Sequence, residues 1–352
     1  MTTCFEKKHL FPPTDDDARQ INPRLLANEQ TIDVLFTVEY WNKLCPWLTC
    51  SENNYNQVQI LSHCHAAMKY SRPTMHAANI LSRELVERGY FKVEAEDLCV
   101  PPLLCEALAL GAMRLVAHGH PPVALLAYDE AWALGKATEF MQPASGGNLS
   151  MGDWYVFYVG DDFGYSPGPP HRDRPMAGPE SFREQGTPKY SSVWLSLTHA
   201  TPETSCLYCL PRPFDPLYDG PGDKLEGTMP TPLNWQNIVA LPLAPGGILG
   251  FSHRLLHWGS NRQPALSMRD PARAARPRIA LNLAYADPDF EAPYFSTDQL
   301  PFPPLGLRIA LASSQEIQYA HLSKLDIEVA AIHKTNDSKL LGRELICCPS
   351  RV

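Results

Sequence analysis

The sequence predicts an α+β fold in which a helical front half leads into a jelly roll of short antiparallel strands. Apolar residues recur at three- and four-residue steps up to about residue 140, then give way at Ser150 to strand-length runs parted by Gly, Pro and Asp. The chain also carries 34 prolines and 21 glycines dispersed along its length, too many for a helical bundle. Finally, long polar connections at 166–190 and 212–234 separate the strands, as in a jelly roll whose loops cover one mouth rather than in a compact meander.

Taken in order, residues 1–30 hold Pro12, Pro13, Asp15, Asp16, Asp17 and Pro23 with few apolar neighbours, the profile of a solvated arm. Val34, Leu35, Phe36, Tyr40, Trp41, Leu44 and Trp47 then suggest a short helix or two packed on the main body. Ala77, Ile80, Leu81, Leu85 and Val86 mark a helix that Gly89 would cap, followed by a strand over 90–93. Pro101 and Pro102 open a second helix running to about Gly119, and a third is expected over 123–140. Strands are expected at 154–159, 193–197, 205–210, 238–243, 247–251 and 278–286. The last fifty residues return to a helix-like pattern that would pack outside the barrel or on a partner chain.

With 352 residues the chain has ample length for a sizeable core, and its net charge of -8 gives no general attraction to nucleic acid or anionic membrane. Its longest apolar runs fall short of the ~20 residues that span a bilayer. The ten cysteines show no repeating spacing and no leader segment precedes them, so free thiols in a cytoplasmic protein are expected.

One constellation suits chemistry. His171 and Asp173 are separated by a single residue, so on an extended segment both side chains leave the same face. With a second imidazole they make the set that a facial triad needs to hold iron(II) with coordination sites left open. That imidazole is His257 or His253, which sit four residues apart after the turn and strand at 245–251; periodicity does not choose between them. Downstream, Arg278 heads an apolar run whose same-face neighbours, Ala280, Asn282 and Ala284, leave room for a bound molecule. A guanidinium there would grip a carboxylate bidentately, although Arg276 shares its face. Cys206 and Cys209 lie in a strand-like run whose odd offset sends them to opposite faces, against a zinc or redox site. Among the aromatics of 154–158, Tyr155 is the choice for touching a ligand.

The succession of Trp194 in Val-Trp-Leu-Ser-Leu-Thr, of Thr204-Ser-Cys-Leu-Tyr-Cys-Leu-Pro211, and of Pro245-Gly-Gly through His257-Trp-Gly-Ser-Asn261 resembles the phytanoyl-CoA dioxygenase family over about residues 77–285. The resemblance implies a double-stranded β-helix, jelly-roll or cupin-like, with an N-terminal helical layer and a C-terminal helical extension. It divides the chain into an arm and helical extension (1–75), a catalytic domain (76–300) and a C-terminal extension (301–352). It further implies a cytoplasmic dioxygenase that uses iron(II), 2-oxoglutarate and dioxygen. His171, Asp173 and His257 match the iron ligands, Arg278 the arginine on the distal carboxylate of 2-oxoglutarate, and Trp194 and Ser260 positions lining that pocket.

Twenty residues separate His257 from Arg278, longer than the family's usual gap, and they include Arg262, Arg269, Arg273 and Arg276. Such a loop favours an anionic, carboxylate-bearing small molecule as substrate, as in natural product biosynthesis. The reaction would be hydroxylation, desaturation or oxidative cyclisation at an unactivated C–H bond. Two other classes remain: a metal-dependent cupin-like enzyme without 2-oxoglutarate, and a non-catalytic binding protein on the same fold.

Overall fold

The computed structural model describes residues 33–52, 75–98, 100–160, 167–174, 177–220, 235–262, 276–293 and 303–319. The solvated arm expected at 1–30 and the helix-like pattern beyond 319 lie outside these residues, as do Arg269 and Arg273.

A helical layer comes first. After a single 3-10 turn at Asp33–Phe36, α1 (Val38–Leu44) buries Trp41 and Leu44. Helix α2 (Met75–Arg88) stops at Gly89, whose φ of +81° is the left-handed conformation that glycine adopts without steric cost. Strand β1 (Tyr90–Val93) and the single turn α3 (Ala95–Leu98) lead to α4 (Pro102–Ala117). Pro102 at the head of α4 gives up no hydrogen bond there, because the first N–H groups of a helix have no intrahelical acceptor.

The third helix expected over 123–140 is broken. A 3-10 turn at Pro122–Ala127 ends at Tyr128, which is extended at φ -97° and ψ 139°, before α5 (Asp129–Gly135) begins. The Asp129 N–H donates instead to the carbonyl of Thr49, 2.8 Å away, so a tertiary contact interrupts the helical ladder. A further 3-10 turn, Lys136–Thr138, precedes α6 (Met141–Ser145).

The strands are β2 (Leu149–Val159), β3 (Tyr190–Ser196), β4 (Leu207–Leu210), β5 (Val239–Leu241), β6 (Ile248–Ser252), β7 (Leu256–Gly259) and β8 (Arg278–Ala286). They form two antiparallel sheets, a larger one in the order β1-β6-β3-β8-β2 and a smaller one in the order β5-β4-β7. From β3 onward the chain passes repeatedly between the sheets. Strand β2 starts five residues before the expected 154, and its register with β8 shifts between Ser150 and Trp154, around Gly152 at φ +74°.

Alternation along the strands separates two cores. Val193, Leu195, Ile248, Ile279, Leu281 and Leu283 face the helices. Tyr90, Trp194, Leu249, Phe251 and Ala280 face the smaller sheet, meeting Cys209, Leu241 and Leu243. Each fully buried aliphatic side chain contributes ~1.5–3 kcal/mol, so a one-residue slip that exchanged the two faces would be strongly disfavoured.

Helix α7 (Leu305–Gln318) packs on the 122–127 turn and on β2. The expectation places it outside the barrel or on a partner chain; at its end Tyr319 packs against Tyr155, with ring centroids 4.2 Å apart and the rings tilted by 32°. Tyr155 pairs with Asn282 across the β2–β8 ladder and so shares the inner face with Arg278 and Ala280. The C-terminal helix thus wraps the β2 edge and reaches into the space between the sheets.

Candidate metal and anion site

The segment carrying His171 is added to the edge of the smaller sheet by a reciprocal bridge. The His171 N–H donates to the His257 carbonyl at 2.9 Å, and the His257 N–H returns to the His171 carbonyl at 3.0 Å. On this extended backbone His171 and Asp173 leave one side and Arg172 leaves the other. The Arg172 guanidinium grips Asp215 at 2.7 and 3.0 Å and also donates to the Arg254 carbonyl at 2.5 Å. A buried ion pair behind the strand therefore fixes the direction in which its two neighbours point.

His171, Asp173 and His257 converge. Asp173 Oδ1 is 3.7 Å from His171 Nε2 and 3.6 Å from His257 Nε2, and one ligand atom from each residue lies within 4.8 Å of the others. An ion with bonds of ~2.1 Å bridges any pair of ligands up to ~4.2 Å apart, so the spacing needs only small side-chain adjustment. The opposite ring nitrogens are tied down, His171 Nδ1 to the Pro169 carbonyl at 2.8 Å and His257 Nδ1 to the Leu255 carbonyl at 3.0 Å. Each Nδ1 is then the protonated one, and each Nε2 lone pair is left facing the carboxylate and its surroundings. Burial, reinforced by His171 alongside, lowers the His257 pKa to about 4, which keeps its imidazole neutral at pH 7.

Asp173 is aimed in the same way. Its Oδ2 accepts a short hydrogen bond from Ser192 on β3, leaving Oδ1 toward the imidazoles. Burial alone would raise this carboxyl, but the positive charge that His257 and His171 carry when protonated, with the Ser192 hydroxyl and Arg174, outweighs it and holds the pKa below the usual range. His253, the rival to His257, sits in the turn after β6 and is consumed by structure: Nδ1 contacts the Tyr190 carbonyl at 2.9 Å and Nε2 the Ser181 hydroxyl at 2.8 Å.

Arg278 is 1 % exposed, on the inner face at the start of β8. Among the described residues no carboxylate pairs with it, and its Nε has no hydrogen-bond partner. Its contact is the ring of Trp194, with the guanidinium carbon 5.2 Å from the centroid. Burial pulls its pKa down to about 10 despite the opposing effect of Cys206, yet it stays charged at neutral pH. Arg276, the alternative, points to the surface and pairs with Glu106 at 2.7 and 2.8 Å. The remaining expected site residues divide. Tyr155 lies buried on the inner face against Phe157 and Tyr319. Ser260 instead spends its hydroxyl on the backbone of Cys206, 3.2 Å from that N–H, and ties the end of β7 to the start of β4.

Cys206 and Cys209 do not face opposite ways as their spacing suggested. Ser205 has a φ of 82°, and the chain turns there before β4 begins, so both free thiols enter the same interior cluster. The His-Asp-His trio is the cluster of potential metal ligands found among the described residues. A separate cleft lined by Trp132, Lys136, Trp154 and Tyr285 lies behind β2, on the helical side of the sheet.

Sequence reasoning missed three participants. Ser192 was hidden as one of several serines in a strand. Arg174 binds Glu291 through two hydrogen bonds of 3.0 and 2.8 Å, and covers the Tyr190 ring at 4.1 Å. Asp153 is a buried carboxyl on β2; an aspartate inside an aromatic strand was the signal that would have found it.

No family model and no curated relative matches the chain. Solved structures with some likeness include the non-heme alpha-ketoglutarate-dependent epimerase SnoN from nogalamycin biosynthesis, at 20 % identity over 61 % of this chain and 82 % of that one, with a TM-score of 0.46. AviO1 from Streptomyces viridochromogenes Tue57 is 17 % identical over 59 % and 94 %, TM-score 0.38. The alpha-ketoglutarate-dependent carbocyclase SnoK is 14 % identical over 59 % and 83 %, TM-score 0.35. Likeness at this level leaves the functional reading to the residues of this chain.

Proposed function

We propose that the chain is a double-stranded β-helix oxygenase that uses iron(II), 2-oxoglutarate and dioxygen to oxidise a C–H bond of a small molecule. Two antiparallel sheets with the chain passing between them support the fold. The donor set supports the metal: two imidazoles and one carboxylate, presented from one side, suit an open iron(II) site.

The observation that carries the co-substrate is Arg278. A buried guanidinium without an anionic partner among the described residues is costly, and a carboxylate from outside would relieve it. Arg278 lies over Trp194, two positions along the inner face of β3 from Ser192, which holds Asp173. One end of 2-oxoglutarate would sit at the trio and the far carboxylate at Arg278.

When bound, iron(II) with 2-oxoglutarate and dioxygen supplies the oxidising power for hydrogen removal, with succinate and carbon dioxide as co-products. The chain supplies the positioning. His171, Asp173 and His257 would hold the metal, and the two Nδ1 contacts and Ser192 fix the orientation of these three side chains. Arg278 and Trp194 set the co-substrate's direction and shield its far end from water.

Anaerobic addition of iron(II) and 2-oxoglutarate is expected to produce a visible charge-transfer band, and admission of air to yield succinate. Asp173→Ala is expected to reduce both to background. Iron binding without band or succinate would point to a metal enzyme independent of 2-oxoglutarate, and failure to bind iron would sink the reading altogether.

A further inference from the structure

We propose that Asp153 and Gln315 form a substrate-anchoring subsite for a group that donates hydrogen bonds, a hydroxyl or an ammonium, on the inner wall beside the trio. This rests on the oxygenase reading and names the chemistry of the substrate that the site would take.

Asp153 is 2 % exposed and Gln315 1 %. Along β2, Trp154, Val156 and Tyr158 pack toward the helices, while Tyr155 and Phe157 pair with Asn282 and Ala280 on the inner face. Asp153 lies within the register shift before Trp154, so its side is read from its neighbours: Asp173, Arg174 and Tyr190 all act on it, which places it toward that inner face. Gln315 approaches from α7, whose following residue Tyr319 packs against Tyr155, and its side chain hydrogen-bonds to Asp153. After that bond, Asp153 Oδ1 and Gln315 Oε1 are both buried without a hydrogen-bond partner.

Leaving two buried acceptors unpaired in one place is costly, and no described residue relieves either. What they lack is a donor. Arg174, the cation nearest in effect to Asp153, is committed to Glu291 by two hydrogen bonds and to the Tyr190 face. Glu291 and Asp173 add negative potential at Asp153, and burial lifts its pKa to about 6. A carboxylate would be repelled here, whereas a hydroxyl or ammonium would satisfy the acceptors. The expectation of an anionic substrate rests on Arg262, Arg269, Arg273 and Arg276; Arg276 is held by Glu106, and Arg269 and Arg273 lie outside the described residues.

The test uses the full chain with iron(II) and saturating 2-oxoglutarate. Cyclohexylmethylamine, cyclohexylmethanol and cyclohexanecarboxylate are titrated while the visible band and succinate formation are followed. The amine, the alcohol or both are expected to perturb the band and raise succinate, which of them acts distinguishing cation from neutral donor; the carboxylate is expected to do neither. Asp153→Asn is expected to weaken the effective probe at least tenfold. Its ligand-free melting temperature should equal or exceed that of the wild type, since an amide relieves an uncompensated buried carboxylate. A response to the carboxylate, to none of the probes, or an undiminished response in Asp153→Asn overturns the subsite, as does a melting temperature lowered by several degrees with the probe response intact. The wild-type band without probe tests the oxygenase reading separately, so a normal band with no probe discrimination removes the subsite alone.

Discussion

Two arginines are buried to the same degree and treated in opposite ways. Arg308, in the helical layer, donates Nε to the Pro303 carbonyl at 2.6 Å and Nη1 to the Ala127 carbonyl at 3.2 Å and, at short range, to Asp129. Asp129 in turn accepts from Ser51 at 2.7 Å. Arg278, between the sheets, has the face of Trp194 and no carboxylate among the described residues. Removing a charge from water costs several kcal/mol unless a partner returns it. Where the chain completes the charge, the arginine belongs to the structure. Where the described residues leave it open, the proposed function brings the partner from outside.

The sharpest way to break that contrast is to neutralise each arginine. Arg308→Gln strands Asp129 in the interior and is expected to cost ~3–5 kcal/mol, read as a lowered urea midpoint, with the KM for 2-oxoglutarate unchanged in the folded protein. Arg278→Gln is expected to do the reverse. Ligand-free stability should hold or rise, while KM for 2-oxoglutarate rises on the order of 100-fold, as when one partner of a buried charge pair is truncated. If Arg278→Gln lowers the urea midpoint as Arg308→Gln does and leaves KM alone, the two arginines are both structural and the co-substrate assignment is lost.

The carboxylates repeat the contrast on a smaller scale. Asp129 has partners from Ser51 and Arg308, whereas Asp173 has Oδ2 held by Ser192 and Oδ1 directed to the imidazoles. Ser192→Ala frees that orientation without removing a metal ligand. Loss of such a supporting hydrogen bond costs ~10–100-fold in metal affinity, measurable by competition with a chromophoric iron(II) chelator. A loss under about threefold, small against that range, would show that Asp173 is aligned by the backbone alone.

These contrasts also mark what the sequence could disclose. The same-face placement of His171 and Asp173 was legible because it depends only on the parity of an extended strand. The role of the residue between them was not, since the partner of Arg172 is Asp215, brought near by folding from 43 positions away. Parity also failed between His253 and His257, because it assumes a straight strand. The chain bends at Ser252, whose hydroxyl accepts from the Arg254 N–H at 3.1 Å and whose carbonyl accepts from the Leu255 N–H at 3.0 Å. The helix expected over 123–140 was lost to the hydrogen bond between Asp129 and Thr49, a contact no local pattern encodes. Asp153 was obscured by the irregular start of β2, where the shift around Gly152 hides which face the carboxyl takes.

The smallest expected effect separates Arg276 from Arg278, which the strand pattern left as equals. Their spacing of two gives both the same parity, but Arg276 precedes β8, and its guanidinium turns outward to Glu106 with the two side chains 49 % and 36 % exposed. Solvent screens such a pair, and its loss is worth ~0–1 kcal/mol. Arg276→Gln is therefore expected to leave KM for 2-oxoglutarate unchanged and to shift the unfolding midpoint barely if at all, with any shift shrinking as salt is added. A KM rise in Arg276→Gln equal to that in Arg278→Gln would place the anion contact at the mouth rather than inside. It would then be the Trp194 contact, rather than an external carboxylate, that accounts for the burial of Arg278.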